Sequence, residues 1–124
     1  MAFVLALAVL AAGCDPGRNL DYNNETNEPL FVEVNGKSGF GRLPPGSHKS
    51  FSHLADEFGG KDDPLEFHVV DLRGCTVLKL TTTLRRFDDE LHDELTIHAS
   101  DLPPPDERQP CDPAIEDIVR RTQD

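Results

Sequence analysis

Histidines and carboxylates are the side chains in this 124-residue sequence that could bind a metal ion or transfer a proton. Five histidines and 23 Asp and Glu residues are present. In an alternating pattern, His68 and His98 fall on the polar faces of their strands and would approach each other if those strands were neighbours. His48 and His53 are five residues apart and would face opposite sides of a regular strand. We interpret these residues as scattered, solvated histidines and expect no metal site and no cofactor.

Two acidic stretches offer oxygen ligands, but their spacing is not that of a known site. Residues 56–63, which read DEFGGKDD, lack the ligand spacing of a calcium-binding loop. Residues 88–94, which read DDELHDE, are more typical of a solvated helical face than of a catalytic pair of carboxylates.

The sequence carries no nucleophile elbow, phosphate-binding loop, dinucleotide fingerprint or HExxH zinc motif. Its net charge of −11 argues against nucleic acid as a partner, because phosphates require a basic surface. We therefore predict a non-enzymatic binding or structural role. The alternative is a secreted hydrolase or metal-binding protein on a small β-scaffold, which a metal titration would reveal.

The N-terminus begins with an apolar run at residues 3–12, FVLALAVLAA, followed by Gly13 and Cys14. The run is too short to span a membrane, which takes about 20 residues, but it matches the apolar region of a secretory signal peptide. Small residues that close such a run immediately before a cysteine resemble the lipobox of bacterial lipoproteins. An ordinary cleavable signal cut after Gly13, or a buried segment of the domain, are the alternatives.

The resemblance implies a lipid anchor. In bacterial lipoproteins the cysteine thiol receives a diacylglyceryl group, a peptidase cuts before the cysteine, and the new amine is usually acylated with a fatty acid such as palmitate. Cys14 would then be the first residue of the mature protein, held on the extracytoplasmic side of a membrane. The implied partners are that membrane and, in addition, another envelope protein.

Once the resemblance assigns Cys14 to lipid, Cys75 and Cys111 are the two cysteines that are left. An oxidising envelope would allow them to form a disulfide. The two cysteines are 36 residues apart, and closing a loop of that length is worth roughly 3–4 kcal/mol in the chain-entropy model. Two free, buried thiols are the alternative.

Residues 14–29 are rich in Asn, Gly and Pro, and we expect them to form the lipidated cysteine and a polar tether to the domain. Within them, residues 24–26 read NET and fit the short N-glycosylation pattern, to which we give little weight.

The body of the chain, residues 30–100, is predicted to be mainly β. Alternating patterns, turn signals and β-branched runs indicate about six strands, at residues 30–34, 40–43, 48–54, 65–71, 75–84 and 94–99. Asn35-Gly36 and Pro44-Pro45-Gly46-Ser47 supply turns between them. We expect a small antiparallel β-sandwich or open barrel.

Residues 101–124 begin with a proline-rich segment and end in a predicted short helix at 113–121. Asp112 would cap this helix and Pro113 would occupy its first position. Ile115, Ile118 and Val119 would form its buried stripe.

Overall fold

Alternating apolar and polar residues form seven β-strands in the computed structural model, which describes residues 18–53 and 60–122. The strands are β1 (Arg18–Glu25), β2 (Leu30–Val34), β3 (Lys37–Leu43), β4 (His48–His53), β5 (Pro64–Val70), β6 (Thr76–Thr83) and β7 (Glu94–His98). The α-helices are α1 (Leu84–Leu91) and α2 (Pro113–Thr122), and single 3₁₀ turns lie at Ala99–Asp101 and Pro105–Glu107.

The strands form two sheets. The three-stranded sheet has the order β4-β1-β7, with β1 antiparallel to β4 and parallel to β7. The four-stranded sheet is antiparallel throughout, in the order β3-β2-β5-β6. Neither sheet closes on itself within the described residues, so of the two predicted architectures the small β-sandwich with a short C-terminal helix is confirmed. The parallel pair of β1 and β7 departs from the predicted antiparallel arrangement.

Apolar side chains from the facing sides of the two sheets form the main core. Tyr22 on β1 contacts Phe67 on β5, with ring centroids 6.2 Å apart, and Phe67 contacts Phe87 on α1 at 5.1 Å. Leu20, Val32 and the other members of this core are fully or nearly fully buried. Aromatic contacts across the sandwich therefore fix how the sheets face each other.

The prediction of a polar tether over residues 14–29 is wrong for the described part of that stretch. Residues 18–25 form β1, the central strand of the three-stranded sheet. Leu20 and Tyr22 face the core and are fully buried. The strand was missed because only these two apolar residues alternate with Asn and Asp, which are also the commonest residues of loops.

Both predicted turns are confirmed. Asn35 and Gly36 adopt φ values of 53° and 66°, as the hairpin between β2 and β3 requires. Gly46 adopts a φ of 67°, and the Ser47 N–H donates to the Pro44 carbonyl at 3.2 Å.

The acidic stretch that follows β6 contains helix α1, which begins at Leu84 and ends at Leu91. The Thr83 hydroxyl oxygen accepts a hydrogen bond from the Arg86 N–H and caps the helix. Leu84 and Phe87 are buried in the core. Asp89 and Glu90 are exposed on this helix, as the predicted solvated face requires, whereas Asp88, Asp93 and Glu94 are half-buried.

Helix α2 packs on the outer face of the four-stranded sheet, and its predicted cap is confirmed. The Asp112 Oδ1 accepts a hydrogen bond from the Ala114 N–H at 2.9 Å. Val119 is fully buried and Ile115 is partly buried, but the prediction that Ile118 is buried is wrong, because its side chain is 46% exposed. The sheet contacts the helix along the line of residues 115 and 119, which are one turn apart, and Ile118 lies about 100° away from Val119 around the axis.

Candidate functional site

Cys14, the predicted lipidation site, lies outside the described residues, as do the apolar run and the first residues after the cysteine. The first described strand, β1, begins at Arg18, four residues beyond Cys14.

Cys75 and Cys111 form the predicted disulfide, with their Cα atoms 3.8 Å apart. The backbone on both sides of the bond is also paired, since the Thr76 N–H donates to the Pro110 carbonyl at 2.9 Å and the Asp112 N–H donates to the Gly74 carbonyl at 3.1 Å. Gly74 allows this close approach, because a Cβ there would lie 2.6 Å from the Asp112 carbonyl oxygen. The bond joins the start of β6 to the segment that leads into α2.

A buried ion-pair network, which the sequence analysis did not predict, holds the same tail segment. The Arg108 side chain is only 4% exposed. Its Nη1 and Nη2 donate to the two carboxylate oxygens of Glu28 at 2.6 and 2.9 Å, and Nη1 also donates to Asp71 Oδ2 at 3.0 Å. Its Nε donates to the Pro103 carbonyl at 2.8 Å. The hydrogen bond with Glu28 is the largest of the effects that raise the pKa of Arg108 above its ordinary value.

Asp71 is central to this network because its second oxygen organises the turn before the disulfide. Its Oδ1 accepts hydrogen bonds from the Arg73 N–H at 2.9 Å and from the Cys75 N–H at 3.0 Å. A shallow cavity of about 190 Å³ lies beside Arg108 and Asp71. Since the charged groups of this cavity already pair with one another, we interpret the network as structural.

The histidines are not brought together. His68 lies on the outer face of the four-stranded sheet, where its Nδ1 is 3.5 Å from Glu33 and its Nε2 is 2.7 Å from the Thr76 hydroxyl. His98 lies at the end of the three-stranded sheet, 2.9 Å from a Glu25 oxygen. The described part of the chain contains no group of three or more His, Cys, Asp or Glu side chains placed to hold a metal ion.

The acidic loop at residues 56–63 lies partly outside the described residues. In its described part, the Asp62 carboxylate pairs with the Arg85 guanidinium at 2.9 Å, and this hydrogen bond lowers the pKa of Asp62. The Asp63 carboxylate accepts a hydrogen bond from the Gly60 N–H at 2.7 Å. The Asp63 bond therefore closes the turn itself, and the exposed Asp62 pair connects the turn to α1.

The NET pattern has a structural role. Asn24 is fully buried, and its Nδ2 donates to the Glu28 and Leu43 carbonyls at 2.9 Å each and to the Pro44 carbonyl at 3.2 Å. Its Oδ1 accepts hydrogen bonds from the backbone N–H and the hydroxyl of Thr26. A glycan on Nδ2 would break this arrangement, so Asn24 is not an acceptor site in the folded protein.

A cavity of about 490 Å³ lies where β6, α1 and β7 meet. We name it the edge groove. Its apolar floor is formed by Leu78, Leu80, Leu91 and Leu95. Leu78 and Leu80 pack against the main core but are only partly buried, and Leu91 is 39% exposed.

The edge groove exists because the two sheets differ in width. At one side of the sandwich β4 covers β3, and Phe51 lies so close to Gly41 that a Cβ there would be 2.7 Å from the Phe51 ring. At the other side, the three-stranded sheet ends at β7 while the four-stranded sheet continues to β6. The inward side chains of β6 therefore extend beyond the sheet that should cover them.

The rim of the edge groove is acidic. Glu90, Glu94 and Asp101 line it, and none of the described residues that line it is Lys or Arg. Glu90 pairs with the exposed Arg86 at 3.3 Å, Glu94 accepts a hydrogen bond from the Asn23 amide, and Asp101 accepts one from the His98 N–H at 2.8 Å. The groove therefore combines a rim of carboxylates, each fixed by a hydrogen bond or ion pair, with an aliphatic floor. This combination suits an amphipathic, cationic ligand.

Sequence analysis did not identify the edge groove. Residues 88–94 were interpreted only as a solvated helical face. That interpretation did not account for Leu91, an apolar residue of this stretch that is exposed in the structure. The strand at residues 75–84 was predicted, but the groove depends on β6 and β7 being edge strands. Strand order is set by pairing between distant residues and is not visible in local patterns.

Comparison of the chain with known protein families, with curated proteins and with solved structures gives no match. No helix in the described residues is long and apolar enough to cross a membrane.

Proposed function

We propose that this chain is an exported, lipid-anchored envelope protein with a non-enzymatic binding role. The lipobox-like segment that ends at Cys14 supports the anchor. The disulfide between Cys75 and Cys111 is compatible with export, because such bonds persist in oxidising compartments.

The observation that carries the binding role is the edge groove. Monomeric proteins normally cover the apolar side chains of a sandwich, whereas here four leucines line a cavity of about 490 Å³ at the side of the sandwich. The acidic rim gives the groove chemical character, since it favours positively charged ligands.

The position of β1 makes the proposed anchor short. Four residue steps separate Cys14 from Arg18, and an extended chain covers at most about 14 Å in four steps. A lipid on Cys14 would therefore keep the start of β1 close to the membrane surface. Since β7 runs parallel to β1, the edge groove would extend away from the membrane along the side of the domain.

Detergent phase partitioning of the full chain expressed in a bacterium tests the anchor. The parent protein should enter the detergent phase and Cys14→Ser should not, because each buried CH₂ of an acyl chain contributes about 0.8 kcal/mol to membrane binding. Combined Cys75→Ser and Cys111→Ser is the control, since it removes the other two cysteines without leaving an unpaired thiol and should still enter the detergent phase. Identical partitioning and identical mature mass of the parent and Cys14→Ser would contradict the proposal.

A further inference from the structure

We propose that the edge groove binds an extended segment of another protein, in which aliphatic and basic residues alternate, as an additional strand beside β7. This inference rests on the proposed binding role and specifies the class of partner. Neighbouring strands in a sheet lie about 4.8 Å apart, so one strand added beside β7 would widen the three-stranded sheet to the four strands of its counterpart. The added strand would then cover Leu78 and Leu80.

The backbone of β7 is oriented to accept such a strand. In a parallel pair, alternate residues direct their N–H and C=O groups toward the neighbouring strand. The Asp21 N–H donates to the Asp93 carbonyl at 3.1 Å, so the odd-numbered residues of β7 face β1. The backbone groups of Glu94, Thr96 and His98 therefore point to the outer edge, beyond which no described strand lies.

The hydrogen bond of His98 agrees with this assignment. Its N–H donates to the Asp101 carboxylate at 2.8 Å, on the side of β7 away from β1. This bond occupies the last backbone donor at the C-terminal end of the outer edge of β7. Thr96 lies at the middle of β7, where its backbone N–H and C=O could both form hydrogen bonds with an added strand. Exposed sheet edges of this kind are used for peptide recognition by strand addition.

Side-chain chemistry determines which segment would fit. Alternate side chains of an added strand point to opposite faces. One set would contact the leucine floor, and the other set would lie beside Glu94 and near Glu90 and Asp101. Cross-strand pairs of opposite charge are favourable, so aliphatic residues are expected in the first set and Lys or Arg in the second.

The same charges disfavour a second copy of this chain. Pairing of two β7 edges would bring Glu90, Glu94 and Asp101 of one copy against the same residues of the other, and each copy carries a net charge of −11. The apolar residues 3–12 of the chain itself contain no basic residue to match the rim. A basic partner segment fits both the floor and the rim.

The test is a peptide titration of the purified full chain carrying Cys14→Ser, followed by calorimetry and by NMR chemical shifts. The probe is an end-capped peptide of about nine residues in which leucine alternates with lysine, a length typical of a strand. It should bind saturably and shift the resonances of Leu78, Leu80 and Thr96. Two control peptides, one with the same residues in blocks and one with glutamate in place of lysine, should bind about tenfold more weakly or not at all.

Backbone methylation of the peptide gives the sharpest discrimination. In a strand, alternate N–H groups point to opposite edges. N-methylation of one alternate set of residues should therefore weaken binding by about tenfold or more, while methylation of the other set should leave binding intact. Equal effects of both methylated peptides, or no effect of either, would overturn strand addition and indicate general attraction to an acidic protein.

Two substitutions with matched exposure locate the site. Leu91→Lys places a cation in the groove and should weaken peptide binding by about fivefold or more. Ile118→Lys changes another exposed large apolar residue of the described part of the chain, on α2, and should leave binding unchanged. Equal effects of the two substitutions would overturn the assignment to the groove.

The remaining outcomes are also decisive. Failure of every peptide to bind, as would follow if residues 3–12 already filled the groove, would contradict the proposal, and so would dimerisation that Leu91→Lys abolishes. The titration uses a chain without the lipidation cysteine, so its result does not depend on the anchor. Partitioning of Cys14→Ser tests the anchor alone, and the two failures are therefore distinguishable.

Discussion

Two apolar regions of the four-stranded sheet extend beyond the main core, and they differ in how completely the chain covers them. On the outer face, Phe31 and Val70 are covered by Val119 of α2, and all three are fully buried. At the inner edge, Leu78 and Leu80 are left partly exposed in the edge groove. One region is closed by the tail of the chain itself, while the other is available to a partner.

The comparison shows what closing a region requires. Helix α2 contributes little apolar surface, since Val119 is its one buried residue. Ordering a residue costs about 1–2 kcal/mol of backbone entropy, so a few apolar contacts do not hold a segment of this length. The disulfide and the Arg108 network provide the additional attachment. The described part of the chain places no comparable attachment at the edge groove.

The largest expected effect comes from breaking the Arg108 network. Arg108→Ala removes the buried cation between Asp71 and Glu28 and leaves Asp71 only the half-exposed guanidinium of Arg73, 3.5 Å away. It should reduce the free energy of unfolding by roughly 3–5 kcal/mol. Chemical denaturation measures this change. Arg120→Ala is the matched control, because Arg120 forms an exposed pair with Glu116 within α2, and it should cost less than about 0.5 kcal/mol. Similar values for the two variants would show that the buried network does not fasten the tail.

Removal of the disulfide should have the next largest effect. Combined Cys75→Ser and Cys111→Ser should reduce the free energy of unfolding by roughly 3–4 kcal/mol, because the unfolded chain loses a cross-link across 36 residues. Hydrogen exchange should show the loss of protection first in α2. Unchanged protection of α2 in this variant would mean that the Arg108 network alone is sufficient.

Two substitutions with smaller expected effects on stability compare the region under α2 directly with the edge groove. Val119→Ala should cost about 1–2 kcal/mol, since it leaves a cavity over Phe31 and Val70. Leu91→Ala should cost about 0.5 kcal/mol or less in the free chain, because its side chain is 39% exposed. A larger cost for Leu91→Ala than for Val119→Ala would indicate that the edge groove is part of the closed core.

Local patterns were sufficient to predict much of the fold. Alternation identified β2, β5 and β6, and the residues at Asn35-Gly36 and Asp112 predicted a turn and a helix cap that the structure contains. The disulfide followed from cysteine number and the lipobox resemblance, and it is present. These features depend on neighbouring residues or on a small number of candidates.

The features that were missed depend on long-range pairing. Arg108 meets Glu28 and Asp71 across 80 and 37 residues of sequence, and no local pattern links them. β1 was predicted to be a tether because Asn is typical of loops, although here Asn24 is buried and donates to the Leu43 carbonyl at the end of β3. The edge groove likewise follows from strand order alone.

Amide hydrogen exchange along β7 is the most direct test of the central claim that this strand presents a free edge to a partner. In the free chain, the Leu95 and Ile97 amides face β1 and should exchange slowly, whereas the Thr96 amide should exchange quickly. A saturating concentration of the alternating leucine and lysine peptide should slow amide exchange at Thr96 by about tenfold or more. The exchange rates of the Leu95 and Ile97 amides should stay unchanged. Protection of Thr96 equal to that of Ile97 in the free chain, or no change at Thr96 when the peptide is bound, would contradict the account.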